Sequence, residues 1–97
     1  MNARAKGKRN EHKIRVMLEA EGWEVEIMPS SKFGHQDFFN RWDLVAVREG
    51  STRWIQSKTN RLPPPAYRKF LASFQGAGSR EIWVFYDRKK EPRIIYL

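Results

Sequence analysis

The sequence predicts an α/β domain in which a mixed central sheet is flanked by helices, with the elements in the order α-β-β-β-α-β-β. Three observations predict it. Two segments carry apolar residues at helical spacing, five short segments are apolar or alternate with polar residues, and turns rich in Gly or Pro separate them. A chain of 97 residues can build one modest core, so we expect a single domain over residues 1–97.

The first elements are a polar arm and a helix. Residues 1–10 are basic and polar, with no large apolar side chain after the initial methionine, which favours a flexible arm or a lead-in to the first helix. Apolar side chains then recur at helical spacing, which predicts a helix over residues 11–21. We expect Asn10 to cap its start and Gly22 to end it.

Three strands follow in the predicted order. Apolar and acidic residues alternate over 23–27, which is typical of a half-buried strand. Residues 30–42 show no periodicity and are expected to form a long loop, a kind of segment that is often functional. The continuous apolar run 44–47 predicts a central strand, and the turn 49–51 leads into a further strand over 53–58.

The second half of the chain supplies a helix and two strands. The proline run 63–65 is a stiff connection and a suitable helix entry, because proline is tolerated in the first turn. Apolar residues at helical spacing predict the second helix over 67–74, which the glycine-containing segment 76–78 ends. Strands are predicted over 82–86 and 93–97.

Charge indicates the partner. Lys and Arg total 19 against 11 Asp and Glu, giving a net charge of +8. A small domain this basic is expected to bind a polyanion, most often nucleic acid. No apolar run reaches the length of a membrane span, and the absence of cysteine excludes disulfides and thiolate metal sites. We therefore expect a cytoplasmic protein with no membrane partner.

The strongest functional pattern runs from Asp43 to the triplet Gln56-Ser57-Lys58. Period-two alternation places Gln56 and Lys58 on one face of their strand and Ser57 on the other. If the two strands pair as a hairpin, Asp43 converges with this triplet at one end of the sheet. A carboxylate, an amide oxygen and an ammonium gathered there can hold a divalent metal against a phosphate. This combination is typical of a metal-dependent nuclease.

A second carboxylate is a candidate for the same site. Glu11 borders the apolar stripe of the first helix and could face the sheet end that carries Asp43. Each residue also has a structural interpretation. Glu11 can be an acid favoured by the helix dipole, and Asp43 a turn aspartate. Gln56 can be a satisfied core amide, and Lys58 can extend to solvent. Their co-occurrence in a basic domain favours the functional interpretation.

These motifs resemble a known family. The chain is similar to the PD-(D/E)XK nuclease superfamily, and within it to the archaeal-type Holliday junction resolvases and their phage relatives. The resemblance runs from Lys6 to about Tyr86, and rests on the motifs K-G-K-R-N-E, E-G-W-E-V, Pro-Ser-Ser, W-D-L-V-A-V and Q-S-K, followed by the apolar second helix. It implies a restriction-endonuclease-like fold and a metal-dependent endonuclease that resolves four-way DNA junctions as a homodimer.

The resemblance also implies roles for individual residues. Glu11, Asp43 and Gln56 match the family's metal-binding positions, and Lys58 matches its lysine. Ser30 or Ser31 corresponds to a serine in a loop near the active site.

Two positions depart from the family pattern. Gln56 stands where the family more often has glutamate, which removes one negative charge, and Trp42 replaces a proline. Asp37 could restore the charge if its loop folds inward. Hard oxygen ligands favour Mg²⁺ or Mn²⁺ over zinc, and the isolated His12 and His35 do not argue for a histidine site.

Nucleic-acid contacts are assigned to basic side chains around this site. They would bind phosphates and position a duplex without recognising sequence. The candidates are Arg4, Lys6, Lys8, Arg9, Lys13, Arg15, Lys32, Arg41, Arg61, Arg68 and Lys69. Aromatic residues of the long loop, namely Phe33, Phe38, Phe39 and Trp42, either stack on bases at a branch point or anchor the loop to the core.

Two further questions stay open at this stage. Large apolar residues beyond a modest core favour a homodimer, because some of them should remain exposed on a monomer. They include Trp54, Trp83, Phe85, Tyr86 and Tyr96. The alternatives to junction resolution are a nuclease of the same fold acting on flap or nicked duplex DNA, and a non-catalytic DNA-binding domain.

Overall fold

In the computed structural model, residues 3–28 and 38–97 are described, with side chains from Lys6 onward. The elements follow the predicted order. They are α1 (Ala3–Glu19), β1 (Glu24–Ile27), β2 (Leu44–Arg48), β3 (Ser51–Thr59), α2 (Pro65–Ala72), β4 (Ser79–Phe85) and β5 (Arg93–Tyr96). The fold class predicted from apolar periodicity is therefore confirmed.

The first helix begins earlier than predicted. It starts at Ala3, so for residues 3–10 the flexible arm is wrong and the alternative, a lead-in to the first helix, is the correct interpretation. Asn10 lies inside the helix and does not cap it. Its buried side chain donates a hydrogen bond to the Thr59 hydroxyl at 3.0 Å. The hydrogen bond joins α1 to the end of β3. The early start of the helix agrees with the high helix propensity of the Ala, Lys and Arg residues in this segment.

The five strands lie in the sheet in chain order, from β1 to β5. Neighbouring strands are antiparallel except β3 and β4, which are parallel because α2 connects them as a crossover. The β2–β3 hairpin closes through Glu49 and Gly50, both at positive φ (48° and 82°). Such two-residue turns match the twist of the paired strands. They set the register that places Leu44 opposite Ile55.

Each face of the sheet carries its own apolar cluster. The face under α1 buries Ile14, Leu18, Val25, Leu44, Ala46, Ile55, Trp83 and Phe85. The opposite face, where α2 lies, buries Trp42, Leu71, Phe74, Ile82 and Val84. Ile55 belongs to the first cluster, and Trp54 packs against the second. Alternation along β3 therefore places Gln56 and Lys58 on the α2 face, and Ser57 and Thr59 on the α1 face.

Burial decides the role of several aromatic residues. Trp42, a candidate for base stacking, is completely buried in the α2-face cluster. Trp83 and Phe85, considered as exposed interface residues, are also buried. Phe39 and Tyr96 remain 64% and 65% exposed.

Candidate active site at the β2–β3 end of the sheet

A backbone irregularity positions Asp43. The register pairs Leu44 with Ile55, yet the Asp43 amide also donates to the Ile55 carbonyl at 2.9 Å. Two consecutive residues therefore face a single residue of β3, which is the arrangement of a β-bulge. The Asp43 carbonyl meanwhile accepts the Met28 amide at 2.9 Å, so the residue is held from both neighbouring strands. Bulges redirect side chains, and this one redirects the Asp43 carboxylate along β3.

The carboxylate reaches the middle of the predicted triplet. Asp43 Oδ2 accepts the backbone N–H of Ser57 at 2.9 Å, and Asp43 is only 6% exposed. The convergence predicted from the hairpin is therefore present in the geometry. Because the hydrogen bond uses the Ser57 backbone, it leaves the Gln56 and Lys58 side chains available for other contacts on the α2 face.

Gln56 carries an unsatisfied polar atom. The residue is 4% exposed, and its Oε1 finds no hydrogen-bond partner among the described residues. A buried carbonyl oxygen without a partner costs about 1 to 3 kcal/mol. Such an atom in a folded protein is usually explained by an ion or a water molecule bound to it. Amide and carboxylate oxygens, the donor types of Gln56 and Asp43, are ligands that suit a hard divalent cation.

Lys58 lies two residues after Gln56 on β3, on the same face of the sheet. Its side chain is half-buried, and the ammonium nitrogen lies 5.4 Å from the centroid of the Tyr67 ring on α2. A cation over an aromatic face is held by the ring quadrupole. Lys58 and Tyr67 also line a surface depression together with Arg61 and the proline run before α2. The lysine is thus held in position with an open approach beside it.

Glu11 reaches this end of the sheet from the other face. It is half-buried on α1, which packs against the face opposite to Gln56 and Lys58. Its neighbour Asn10 contacts Thr59, near the C-terminal end of β3, so Glu11 shares the sheet end of the triplet but not its face. Both Glu11 and Asp43 make interactions within the structure. In residues 3–28 and 38–97, no three His, Asp or Glu side chains form a group able to hold a metal.

Part of the predicted site falls in the segment between β1 and β2. Ser30, Ser31, Asp37 and the candidate phosphate-binding Lys32 lie outside the described residues, as do Phe33 and His35. The side chain of Arg4 is also outside the described part. Their assignments stay predictions.

The basic candidates separate by exposure. Lys8, Arg9, Lys13, Arg61 and Lys69 are exposed, as phosphate contacts require. Lys6 and Arg68 are half-buried. Arg15 and Arg41 are half-buried and hold the fold together. The Arg15 guanidinium donates to the Val25 carbonyl at 3.2 Å, and the Arg41 guanidinium lies 4.1 Å from the Phe70 ring centroid.

A buried carboxylate at the start of β4 escaped the sequence analysis. Glu81 is completely buried and accepts two hydrogen bonds from Arg53, at 2.7 and 2.8 Å, one from Trp83 at 2.9 Å and one from Ser79. Burial raises the pKa of Glu81, but these hydrogen bonds outweigh burial and leave the pKa below its usual value. The hydrogen bond from Glu81 raises the pKa of Arg53 in turn. Its partners make this carboxylate structural. Glu81 pairs in register with Ile55, and its side chain contacts Arg53, whereas the Asp43 carboxylate contacts Ser57, further along β3.

Comparison with solved structures identifies the same architecture in a known protein. It is Archaeoglobus fulgidus Hjc, a Holliday junction resolvase from an archaeal hyperthermophile, which matches with a TM-score of 0.63. The two chains are 15% identical, and the match covers 93% of this chain and 88% of the other. The chain shares the fold of this archaeal protein. The fold implied by the sequence motifs is therefore confirmed. No protein-family model and no curated protein sequence matches the chain.

The resolvase fold is shared over nearly the whole of both chains. At 15% identity the similarity concerns the fold, and the roles of these residues have to be argued from their own geometry. No helix in the described part of the chain is both long and apolar enough to cross a membrane.

Proposed function

We propose that the protein is a structure-selective, metal-dependent DNA endonuclease that resolves four-way junctions by phosphodiester hydrolysis. The observation that carries the proposal is the hydrogen bond from the Ser57 amide to the Asp43 carboxylate, next in sequence to the buried Gln56 with its unsatisfied oxygen. The fold shared with Archaeoglobus fulgidus Hjc and the net charge of +8 support a DNA substrate.

Asp43 and Gln56 would supply the protein ligands of a Mg²⁺ or Mn²⁺ ion, with Glu11 contributing through water from the other face. A bound divalent ion polarises the phosphate and lowers the pKa of a coordinated water. Two protein ligands are few, but Mg²⁺ commonly keeps several waters and is bound by one or two carboxylates. The Ser57 amide orients the Asp43 carboxylate, because it donates to Oδ2 at 2.9 Å.

Lys58 supplies the positive charge. Its ammonium is held over Tyr67 on the same face as Gln56, so it can orient the attacking water or offset charge that develops on the phosphate. Such charge stabilisation acts mainly in the transition state. We therefore expect Lys58 to increase the rate of cleavage. The exposed lysines and arginines elsewhere are expected to increase the affinity for DNA.

The proposed assembly is a homodimer. A four-way junction is nearly two-fold symmetric and requires two symmetric cuts, which a C2 dimer can deliver. Among the described residues the exposed large apolar side chains are Val16, Phe39, Val47, Phe70 and Tyr96. They lie on different elements, with Val16 on α1 and Phe70 on α2, so the proposal of a dimer rests on the symmetry of the junction. Light scattering or sedimentation at micromolar protein tests the assembly, and a strict monomer would contradict it.

The deciding experiment compares a synthetic four-way junction with linear duplex of the same sequence, each with Mg²⁺ and with chelator. We expect paired cuts near the branch point of the junction, only with the metal, and little cleavage of the linear duplex. Cleavage of flap or nicked duplex in preference to the junction would keep the nuclease and remove the resolvase assignment.

A non-catalytic DNA-binding domain is the competing function that one observation favours. Gln56 replaces the commoner glutamate, and the described residues contain no cluster of three potential metal ligands among His, Asp and Glu. Isothermal titration with Mg²⁺ or Mn²⁺ separates the two. Saturable metal binding that is lost in Asp43→Asn supports the nuclease, and no metal binding together with tight junction binding supports the alternative.

A further inference from the structure

A groove outside the candidate active site combines α1 with the turn between β4 and β5. Its lining includes five cationic side chains and a single carboxylate, that of Asp87. The cations are Lys6, Arg9, Lys13, Arg88 and Lys89. Residues 87–90 form an exposed turn. No residue of this turn is among the nucleic-acid contacts predicted from the sequence. Cations of two elements far apart in the chain thus meet on one surface.

The single carboxylate of the groove is already engaged. Asp87 Oδ1 forms an ion pair with Lys6 at 2.5 Å, and Oδ2 accepts the Asn60 side-chain amide at 3.0 Å. The hydrogen bond from Lys6, and then that from Asn60, hold the pKa of Asp87 below its usual value. Asn60 Oδ1 in turn accepts the Asp87 amide at 2.9 Å. Asp87 therefore joins α1, the end of β3 and the turn, and does not cancel the charge of the remaining four cations.

The backbone of Arg88 is unusual. The Lys89 amide donates to the Tyr86 carbonyl at 3.1 Å, closing a four-residue turn whose third residue, Arg88, has φ of +70°. This position favours glycine, because a Cβ atom is strained there. A residue that keeps a strained conformation points to a use for its side chain. At Arg88 that side chain is a guanidinium, which suits bidentate phosphate binding.

The groove lies at the sheet end of the candidate active site. Asn60 follows β3 directly, and its amide donates to the carbonyl of Phe85, the last residue of β4. Ser57, which contacts Asp43, lies on β3 three residues before Asn60. A DNA strand held at Asp43 and Lys58 would therefore continue toward the cations of α1 and the turn.

We propose that this groove is a phosphate clamp that binds the DNA backbone flanking the cleavage position, with Arg88 and Lys89 as its turn side and Arg9 and Lys13 as its helix side. The inference rests on the proposed DNA substrate and extends it to a surface that the active site does not include. The clamp makes no base contacts, so its effect is on affinity for any duplex arm and on the salt dependence of that affinity.

The test is a matched pair of double variants. Arg88→Ala with Lys89→Ala removes two groove cations, and Lys90→Ala with Arg93→Ala removes an arginine and a lysine that are exposed and do not line the groove. Binding of linear duplex and of a four-way junction is titrated without divalent metal at several salt concentrations. We expect the groove variant to lose about tenfold or more in affinity near 0.1 M salt, and its salt slope to fall by roughly two. The control should change much less.

A single variant separates binding from stability. Arg88→Gly relieves the positive φ, so the melting temperature should stay level or rise while affinity for DNA falls. A purely structural role for Arg88 predicts the reverse, with lower stability and unchanged affinity.

The outcomes distinguish the two proposals. Equal affinities of the groove and control variants on both DNAs would overturn the clamp. Loss in the groove variant together with no junction cleavage by the native protein would keep the clamp and remove the resolvase function. Native protein that binds neither DNA would overturn both.

Discussion

The Asp43 carboxylate accepts the backbone N–H of Ser57 at 2.9 Å, which joins the residue before β2 to the centre of the Gln-Ser-Lys triplet on β3. The contact depends on the bulge at Asp43. Leu44 is the residue paired with Ile55 in the strand register, and the amide of the preceding Asp43 also donates to the Ile55 carbonyl. The bulge thus turns a strand-preceding aspartate into a side chain aimed at the neighbouring strand. Each prediction for the site follows from this geometry.

Asp43→Asn should abolish cleavage while leaving DNA binding nearly intact. The amide can still accept the Ser57 N–H through its oxygen, so the fold is kept, but the negative charge that a divalent ion requires is lost. We expect a fall of at least about a hundredfold in single-turnover rate. Glu26→Gln, at an exposed position on β1, is the control and should cleave normally. Cleavage by Asp43→Asn at the native rate would contradict the site assignment.

Lys58→Met should reduce cleavage by orders of magnitude with little change in junction affinity. Methionine keeps the apolar stem beside Tyr67 and removes only the charge that we assign to the transition state. Single-turnover rates with saturating enzyme measure the effect, and affinity is titrated with chelator present. Should affinity fall and the rate at saturation stay constant, Lys58 would be a phosphate contact and not a catalytic residue.

Gln56 is tested by two substitutions. Gln56→Glu supplies the commoner ligand, so cleavage should survive and the divalent ion concentration needed for half-maximal rate should fall or stay level. Gln56→Leu removes the unsatisfied buried oxygen, so cleavage should be lost while the free energy of unfolding stays level or rises. A Leu variant that cleaves normally would show that Gln56 is only a core residue.

Glu11→Gln should weaken cleavage less than Asp43→Asn. Glu11 approaches from the α1 face, so its action on a metal is expected to run through water, and its loss should raise the metal concentration needed for activity. Rates measured across a Mn²⁺ titration check this. If excess metal does not restore cleavage by the variant, Glu11 stabilises the helix and does not contribute to metal binding.

The Arg53–Glu81 pair predicts a pH dependence of stability. Because the pKa of folded Glu81 is lowered, its contribution is present above the ordinary glutamate pKa and is lost as pH falls through the lower folded value. Arg53→Met leaves a buried charge without its main partner and should destabilise the native state by about 3 to 5 kcal/mol at neutral pH. Urea unfolding at several pH values measures both effects. Glu81→Gln should flatten the acid-side loss, and an unchanged pH profile in that variant would refute the assignment.

Much of the architecture was predictable because it depends on local periodicity. Helical spacing of apolar residues locates α2 and the C-terminal part of α1, and the glycine at the β2–β3 turn predicts the hairpin. The hairpin predicts that Asp43 lies at the same end of the sheet as the triplet. These features need only the chain's own pattern and short-range pairing.

The features that depend on packing between distant segments were not predictable. Asn10 is a typical helix cap in sequence, but its hydrogen bond to Thr59 places it inside α1. Trp42 is a candidate wedge in sequence, but burial against the α2-face cluster makes it core. In both cases the residue type is compatible with two locations, and the residues that pack against it in the folded protein determine which one it occupies.

The sequence by itself determined the element order, the basic surface and the residue types of the candidate site, since these are properties of composition and period. Only the tertiary structure decided that a bulge aims Asp43 at Ser57, that Glu11 lies across the sheet from Gln56 and Lys58, and that the β4–β5 turn meets α1 in a basic groove. The physical reason is that strand register and helix docking are set by burial of both sheet faces together. The residues that bury the two faces are far apart in the sequence, so no local sequence pattern predicts how they pack.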